Sequence, residues 1–175
     1  MRITVKKLTL MAVLTAVALI VFIIEAQIPL PLPIPGAKLG LANTVTLFAL
    51  FFSSKREIKL TVANAFMILI CRIILGSVFS GNSIALLYSL TGGLFGFAAQ
   101  ALMSKIVTDK QVWVCGAIGA VFNNIGQILV AMFVTGTPLI ATLLPPLIIV
   151  GVITGVITGL AAQFTIKRLT MNDER

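Results

Sequence analysis

Three charged residues stand alone in long apolar stretches of the sequence: Glu25, Lys38 and Arg72. Inside a membrane, a charge is costly unless it is paired, reaches the interface or faces a wet cavity. Residues of this kind therefore indicate either internal ion pairs or a site that recognises a charged group. Two cations and one anion leave one net positive charge, which suits a small anionic or amphipathic ligand.

Three amide side chains form a second group. Asn123 and Gln127 are four residues apart, and Asn124 and Gln127 are three apart. Residues at these spacings lie on the same face of a helix. We therefore expect one helix to present an amide cluster to its neighbours.

Further polar residues fall at compatible positions in other apolar segments. Asn43 follows Lys38 by about one helical turn, while Asn82 and Tyr88 open a later segment. Together with the charged residues and the amide cluster, they predict one ligand-binding site. Its expected members are Glu25, Lys38, Asn43, Arg72, Asn82, Tyr88, Asn123, Asn124 and Gln127.

The sequence lacks the residues that most catalytic sites use. Histidine is absent, and no GxxxxGK[ST] loop is present for ATP hydrolysis. The two aspartates, Asp109 and Asp173, are isolated, whereas acidic clusters hold magnesium and diphosphate. No nucleophile lies beside a base. We predict no catalytic residues, no metal site and no cofactor, so the chain is not expected to be an enzyme on its own.

The composition predicts the elements that position these residues. The 175 residues are 59% hydrophobic and 10% charged, with a mean hydropathy of +1.13. Apolar runs of about 20 residues, enough to cross a bilayer, recur along the chain. We expect an all-α integral membrane protein, a single domain over residues 1–175 with six transmembrane helices. Their expected ranges are 8–28, 39–52, 58–79, 83–104, 111–134 and 143–166.

The charges report topology rather than nucleic-acid binding, although the net charge is +8. Eleven of the 13 basic residues lie at the two ends and in the loops after helices two and four. The positive-inside rule then places both termini in the cytoplasm. On this topology Glu25, Lys38 and Arg72 share one depth in the outer half of the bilayer.

The segment Pro29–Asn43 separates the first apolar run from the second. It has prolines at 29, 31, 33 and 35, and proline restricts the backbone to extended conformations here. We expect a rigid lip over the site, with a hinge at Gly36 and with Lys38 and Asn43 on its inner edge.

Two pairings of Glu25 stay open at this point. It can form a structural salt bridge with Arg72 or Lys38, or it can meet a ligand, including a cationic ring. If the whole polar cluster is self-paired and dry, the protein is a structural membrane scaffold instead.

Three segments carry a resemblance to a known family: PIPGAKLGLAN at Pro33–Asn43, RIILGSVFSGN at Arg72–Asn82 and NNIGQ at Asn123–Gln127. The sequence resembles the family called Gx transporter or heptaprenyl diphosphate synthase component I. That family is similar to the substrate-binding S components of energy-coupling factor (ECF) transporters. Such components are six-helix membrane proteins with both termini inside.

The resemblance implies partners and roles. An S component captures a vitamin or related micronutrient at the outer face of the bacterial plasma membrane. It then associates with a transmembrane coupling protein and two cytoplasmic ATPases. S components dock onto the coupling protein through an AxxxA pair on helix one, which here matches Ala12 and Ala16. The loop between helices one and two acts as a gate in such proteins.

Two functions follow. The first is an S component of an ECF-type importer that captures a small vitamin-like or quinone- or isoprenoid-related ligand. The alternative is a non-catalytic membrane subunit of a heptaprenyl diphosphate synthase, involved in isoprenoid or menaquinone side-chain synthesis.

Overall fold

A computed structural model describes residues 4–28, 38–52, 60–81, 83–108 and 110–172 of the chain. Across these ranges the protein is helical and contains no strand. A short 3-10 turn over Pro138–Leu143 precedes the last helix. The six α-helices are α1 (Val5–Ala26), α2 (Asn43–Phe52), α3 (Val62–Ser80), α4 (Ser83–Met103), α5 (Val112–Thr135) and α6 (Leu144–Asn172).

Five of these helices are long and apolar enough to cross a membrane. They are α1, α3, α4, α5 and α6 together with its 3-10 turn. Within the described residues helix α2 has 10 residues, or about 15 Å at 1.5 Å per residue, against a hydrocarbon core of about 30 Å. The predicted all-helical fold is confirmed, and among the described residues five of the six helices are long and apolar enough to span a membrane, whereas six spanning helices were expected. The number of membrane crossings and the sidedness of the termini stay predictions.

Helix α2 is the centre of the bundle although it is the shortest helix. It contacts α1, α3, α4, α5 and α6. Eight of its ten residues are buried. Helix α2 is therefore enclosed by the other five helices. Its first residue, Asn43, is hydrogen-bonded to Arg72 of α3 and to Asn123 of α5.

The start of α2 differs from the sequence prediction. Helix two was expected from Leu39, but α2 begins at Asn43, and Lys38 lies in the loop before it. The cause is Gly40, whose φ of +79° is a left-handed conformation that ends a helix or turns a loop. A Cβ at Gly40 would also lie 3.0 Å from Asn123 Nδ2, so a side chain there would push against α5.

Small residues let α5 approach its two main neighbours, α4 and α6. Gly155 of α6 lies so close to α5 that an added Cβ would stand 2.6 Å from the Gly116 carbonyl oxygen. Gly96 of α4 is equally restricted, at 2.8 Å from the Gly119 carbonyl oxygen. In a membrane, where the hydrophobic effect does not drive helix association, such close backbone packing holds helices together. It also fixes the position of the α5 amides relative to α2.

Candidate functional site

Polar residues from α1, the loop before α2, and helices α2 to α5 surround one small cavity. Its volume is about 20 Å³, which is room for about one water molecule. Seven of the nine residues predicted for the site line this cavity: Glu25, Lys38, Asn43, Arg72, Tyr88, Asn123 and Gln127. Phe22, Gly40 and Ser89 complete the lining.

Glu25, near the end of α1, binds the backbone that leads into α2. Its side chain is 4% exposed. One carboxylate oxygen accepts a hydrogen bond from the Gly40 amide, and the other accepts one from the Ala42 amide at 3.4 Å. These amides belong to the N-terminal entry of α2, where orphan donors and the helix dipole favour an anion. Glu25 therefore serves as an internal anion for α2.

Arg72 of α3 lies across the cavity and is equally buried, at 4% exposed. Its Nη2 donates to Asn43 Oδ1 at 3.0 Å. Its Nε finds no hydrogen-bond partner in the described part of the chain. A buried donor without a partner costs free energy, so this atom needs an explanation.

A relay of amides runs from Arg72 across the bundle. Asn43 Nδ2 donates to Asn123 Oδ1 at 3.2 Å, and Asn123 Nδ2 donates to Asn124 Oδ1 at 3.5 Å. Asn124 Nδ2 then donates to the Leu147 carbonyl of α6 at 2.6 Å. Each amide accepts one bond and donates the next, so the relay orients the side chains that face the cavity.

Two predicted members are not placed in the cavity lining. Asn124 is buried against α6, where it bonds to the Leu147 carbonyl, and it does not line the cavity. The i, i+3 spacing predicted that Asn124 and Gln127 share one side of α5. In the structure Asn124 faces α6 and Gln127 faces the loop before α2, so the two amides have different neighbours. Asn82 lies outside the described residues, as does the part of the predicted lip over 29–37 with its hinge at Gly36.

Lys38 is held by its backbone and not by its charge. Gln127 Oε1 accepts from the Lys38 amide at 2.9 Å, and Gln127 Nε2 donates to the Lys38 carbonyl at 2.8 Å. The ammonium lies 3.4 Å from the centre of the Phe22 ring, in cation–π contact. Burial lowers the pKa of Lys38 to about 8, with Glu25 opposing this shift and Arg72 adding to it.

Phe22 is a site residue that the sequence reasoning missed. It precedes Glu25 by three positions on α1, so the helical period places both on one face. That spacing was the available signal. Gly76 of α3 makes room for the ring, because a Cβ there would lie 2.8 Å from Phe22 Cε1. The aromatic ring thus forms an apolar wall beneath the Lys38 ammonium.

The paired bonds of Gln127 predict the effect of removing them. In a Gln127→Leu variant, the segment 38–42 loses both of these hydrogen bonds to α5. At about 1 kcal/mol for each bond, opening of this segment should become about 30-fold easier. Hydrogen–deuterium exchange of the peptide that contains residues 38–42 measures this opening.

The matched control is Gln111→Leu, an exposed glutamine at the start of α5. It should leave exchange in residues 38–42 unchanged. Equal protection of that segment in both variants would show that Gln127 does not hold the loop.

The sequence of the chain also matches a known protein family. The family model described as heptaprenyl diphosphate synthase component I matches residues 14–165. No curated protein and no solved structure matches the chain. The match spans four of the six helices in full, α2 to α5, and most of α1 and α6, and it includes every described residue that lines the cavity. The chain therefore belongs to the heptaprenyl diphosphate synthase component I family.

Proposed function

We propose that this chain is a non-catalytic membrane subunit that binds a small ligand in the cavity enclosed by helices α1 to α5. The convergence of two cations, a carboxylate and several amides on one cavity carries this proposal. The absence of histidine and of an ATP-binding loop from the sequence supports a binding role over a catalytic one.

The site has features of a binding pocket more than of a structural core. A purely structural cluster would pair its charges, but the Glu25 carboxylate is bonded to backbone amides and Arg72 Nε is unbonded among the described residues. The Lys38 ammonium rests on an aromatic ring. We infer that these groups are arranged for something that enters the cavity.

An importer of the ECF type is the first candidate for the assembly in which the subunit works. Ala12 and Ala16 are both exposed on α1, one turn apart, so they form a shallow notch on the surface of the bundle. Small residues at this spacing permit close approach of another helix. In this function a transmembrane coupling protein fills the notch, and two cytoplasmic ATPases supply the energy that this chain does not.

A bulky pair at this notch tests the importer function. Ala12→Leu combined with Ala16→Leu should reduce co-purification of the coupling protein and ATPases by at least about tenfold, because leucine prevents close packing. Ligand binding should persist, since neither alanine lines the cavity. The matched control is Ala63→Leu with Ala98→Leu, two exposed alanines on α3 and α4. An assembly that survives the first double variant would rule out docking through this face.

A second candidate is a membrane component of heptaprenyl diphosphate synthase, and the family description favours it more directly. In this function the chain binds a prenyl product or its head group and a soluble catalytic partner. Reconstituting that partner with and without the chain should change its rate or product length. If neither quantity responds, the synthase function fails while ligand binding stands.

A further inference from the structure

We infer that the cavity binds the oxygen of a small oxyanion, a carboxylate or a phosphate, between Arg72 and Lys38. The inference rests on the proposed ligand-binding function and names the chemistry of its ligand. It starts from the partners that the three charged groups have in the structure.

The negative charge of the site is already used. Glu25 accepts hydrogen bonds from the Gly40 and Ala42 amides at the entry to α2. A carboxylate held in this way is poorly placed to serve a cationic ligand, because such a ligand would have to break the bonds that position the loop. The open choice between a cationic and an anionic ligand is therefore decided toward the anion.

The positive charges are only partly compensated. Arg72 uses Nη2 to bond to Asn43, but its Nε is buried and has no acceptor within the described ranges. Arg72 lines the cavity and is 4% exposed, so an acceptor for Nε fits best inside the cavity. An anionic oxygen there would convert an unsatisfied donor into a charge-assisted hydrogen bond.

Lys38 adds the second cation to the same cavity. Its ammonium contacts the Phe22 ring, which is weaker compensation than a carboxylate or phosphate oxygen. Arg72, Lys38 and Glu25 together carry one net positive charge, so one oxyanion neutralises the site. Helix α2 begins at Asn43 beside Arg72, and the partial positive charge at its N-terminus also favours an anion.

The cavity size limits what enters without rearrangement. About 20 Å³ holds one oxygen atom but not a complete carboxylate or phosphate group. A larger head group therefore displaces the segment from Lys38 to Gly40, which closes over the cavity and is bonded to Gln127 and Glu25. The rest of the ligand lies where that segment is in the present structure.

The test uses the full chain in detergent and three salts at equal ionic strength: sodium acetate, sodium phosphate and sodium chloride. A choline chloride series supplies a cationic probe. The midpoint of thermal unfolding should rise saturably with acetate or with phosphate beyond chloride, because a ligand that binds only the folded state stabilises it. Comparison of the two oxyanion series shows which head group the site prefers.

Two variants localise the effect. Lys38→Gln removes one cation from the loop, and Arg72→Lys keeps the charge but removes Nε together with the Nη2 bond to Asn43. Each should weaken the oxyanion response by at least about tenfold, whereas the control Lys105→Gln, at the end of α4, should keep it. Lys38 lies outside the helices, so its variant remains informative if Arg72→Lys fails to fold.

The inference is overturned if neither oxyanion exceeds chloride, if choline alone stabilises the protein, or if the variants respond like the parent protein. Native mass spectrometry separates this failure from failure of the proposed function. A retained neutral or cationic small molecule would end the oxyanion assignment and leave ligand binding intact. No retained molecule together with no oxyanion response would end both.

Discussion

Replacing Arg72 with methionine is expected to reduce ligand retention by at least about 100-fold. The variant removes a buried charge and the hydrogen bonds that a guanidinium offers, each worth about 1.5–3 kcal/mol when charge-assisted. It also leaves Asn43 Oδ1 without its donor, so the first amide of the relay loses its orientation. The measured quantity is the amount of small molecule released from purified protein, per mole of chain.

The variant is also expected to lose stability, because removing one member of a buried charge cluster leaves Glu25 without the nearby positive charge of Arg72 and Asn43 Oδ1 without its donor. Ligand retention is therefore measured on the folded fraction of the purified protein. Arg168→Met, at the exposed end of α6, is the matched control and should retain ligand as the parent protein does. If Arg72→Met is folded and still carries a full complement of ligand, Arg72 does not contact the ligand.

Gly155→Ala is expected to destabilise the bundle by about 3 kcal/mol, because it overpacks the contact between α5 and α6. The added Cβ would lie 2.6 Å from the Gly116 carbonyl oxygen and 2.7 Å from Ala117 Cα. Both are backbone atoms, so no side chain can rotate away to relieve the contact. For a chain of this length the unfolding midpoint should fall by about 10 °C.

The effect should reach the ligand site as well. α5 carries Asn123 and Gln127, so a shift of α5 away from α6 moves the amides that hold Asn43 and Lys38. The control Ala161→Val adds volume at an exposed position on α6 and should leave the midpoint nearly unchanged. A Gly155→Ala protein as stable as the parent would mean that the helices do not pack this closely.

The sequence predicted the class of the fold because apolar runs of bilayer length and basic loops follow from the physics of membranes. It did not predict the centre of the bundle. Helix α2 is apolar like its neighbours, and composition alone does not show that ten residues are enclosed by five helices. Its delayed start depends on the positive φ of Gly40, which arises from contacts with α1 and α5 distant in the sequence.

The clustering of most of these polar residues was predicted from their positions along the helices, whereas the directions of their side chains were not. Charge and amide positions brought Glu25, Lys38, Arg72 and Gln127 to one level, and the structure places all four around one cavity. Which partner each takes depends on rotation of the helices about their axes. That is why Glu25 bonds to backbone amides, why Asn124 turns to α6, and why Phe22 enters the site unpredicted.

The most direct test of ligand binding is an experimental structure of the full chain purified from its membrane with its small molecules retained. We expect a bound molecule in the cavity, with an oxygen at hydrogen-bond distance from Arg72 Nε and with the segment from Lys38 to Gly40 displaced. A small molecule bound elsewhere, with Arg72 Nε bonded to a protein group and the cavity closed, would contradict the account.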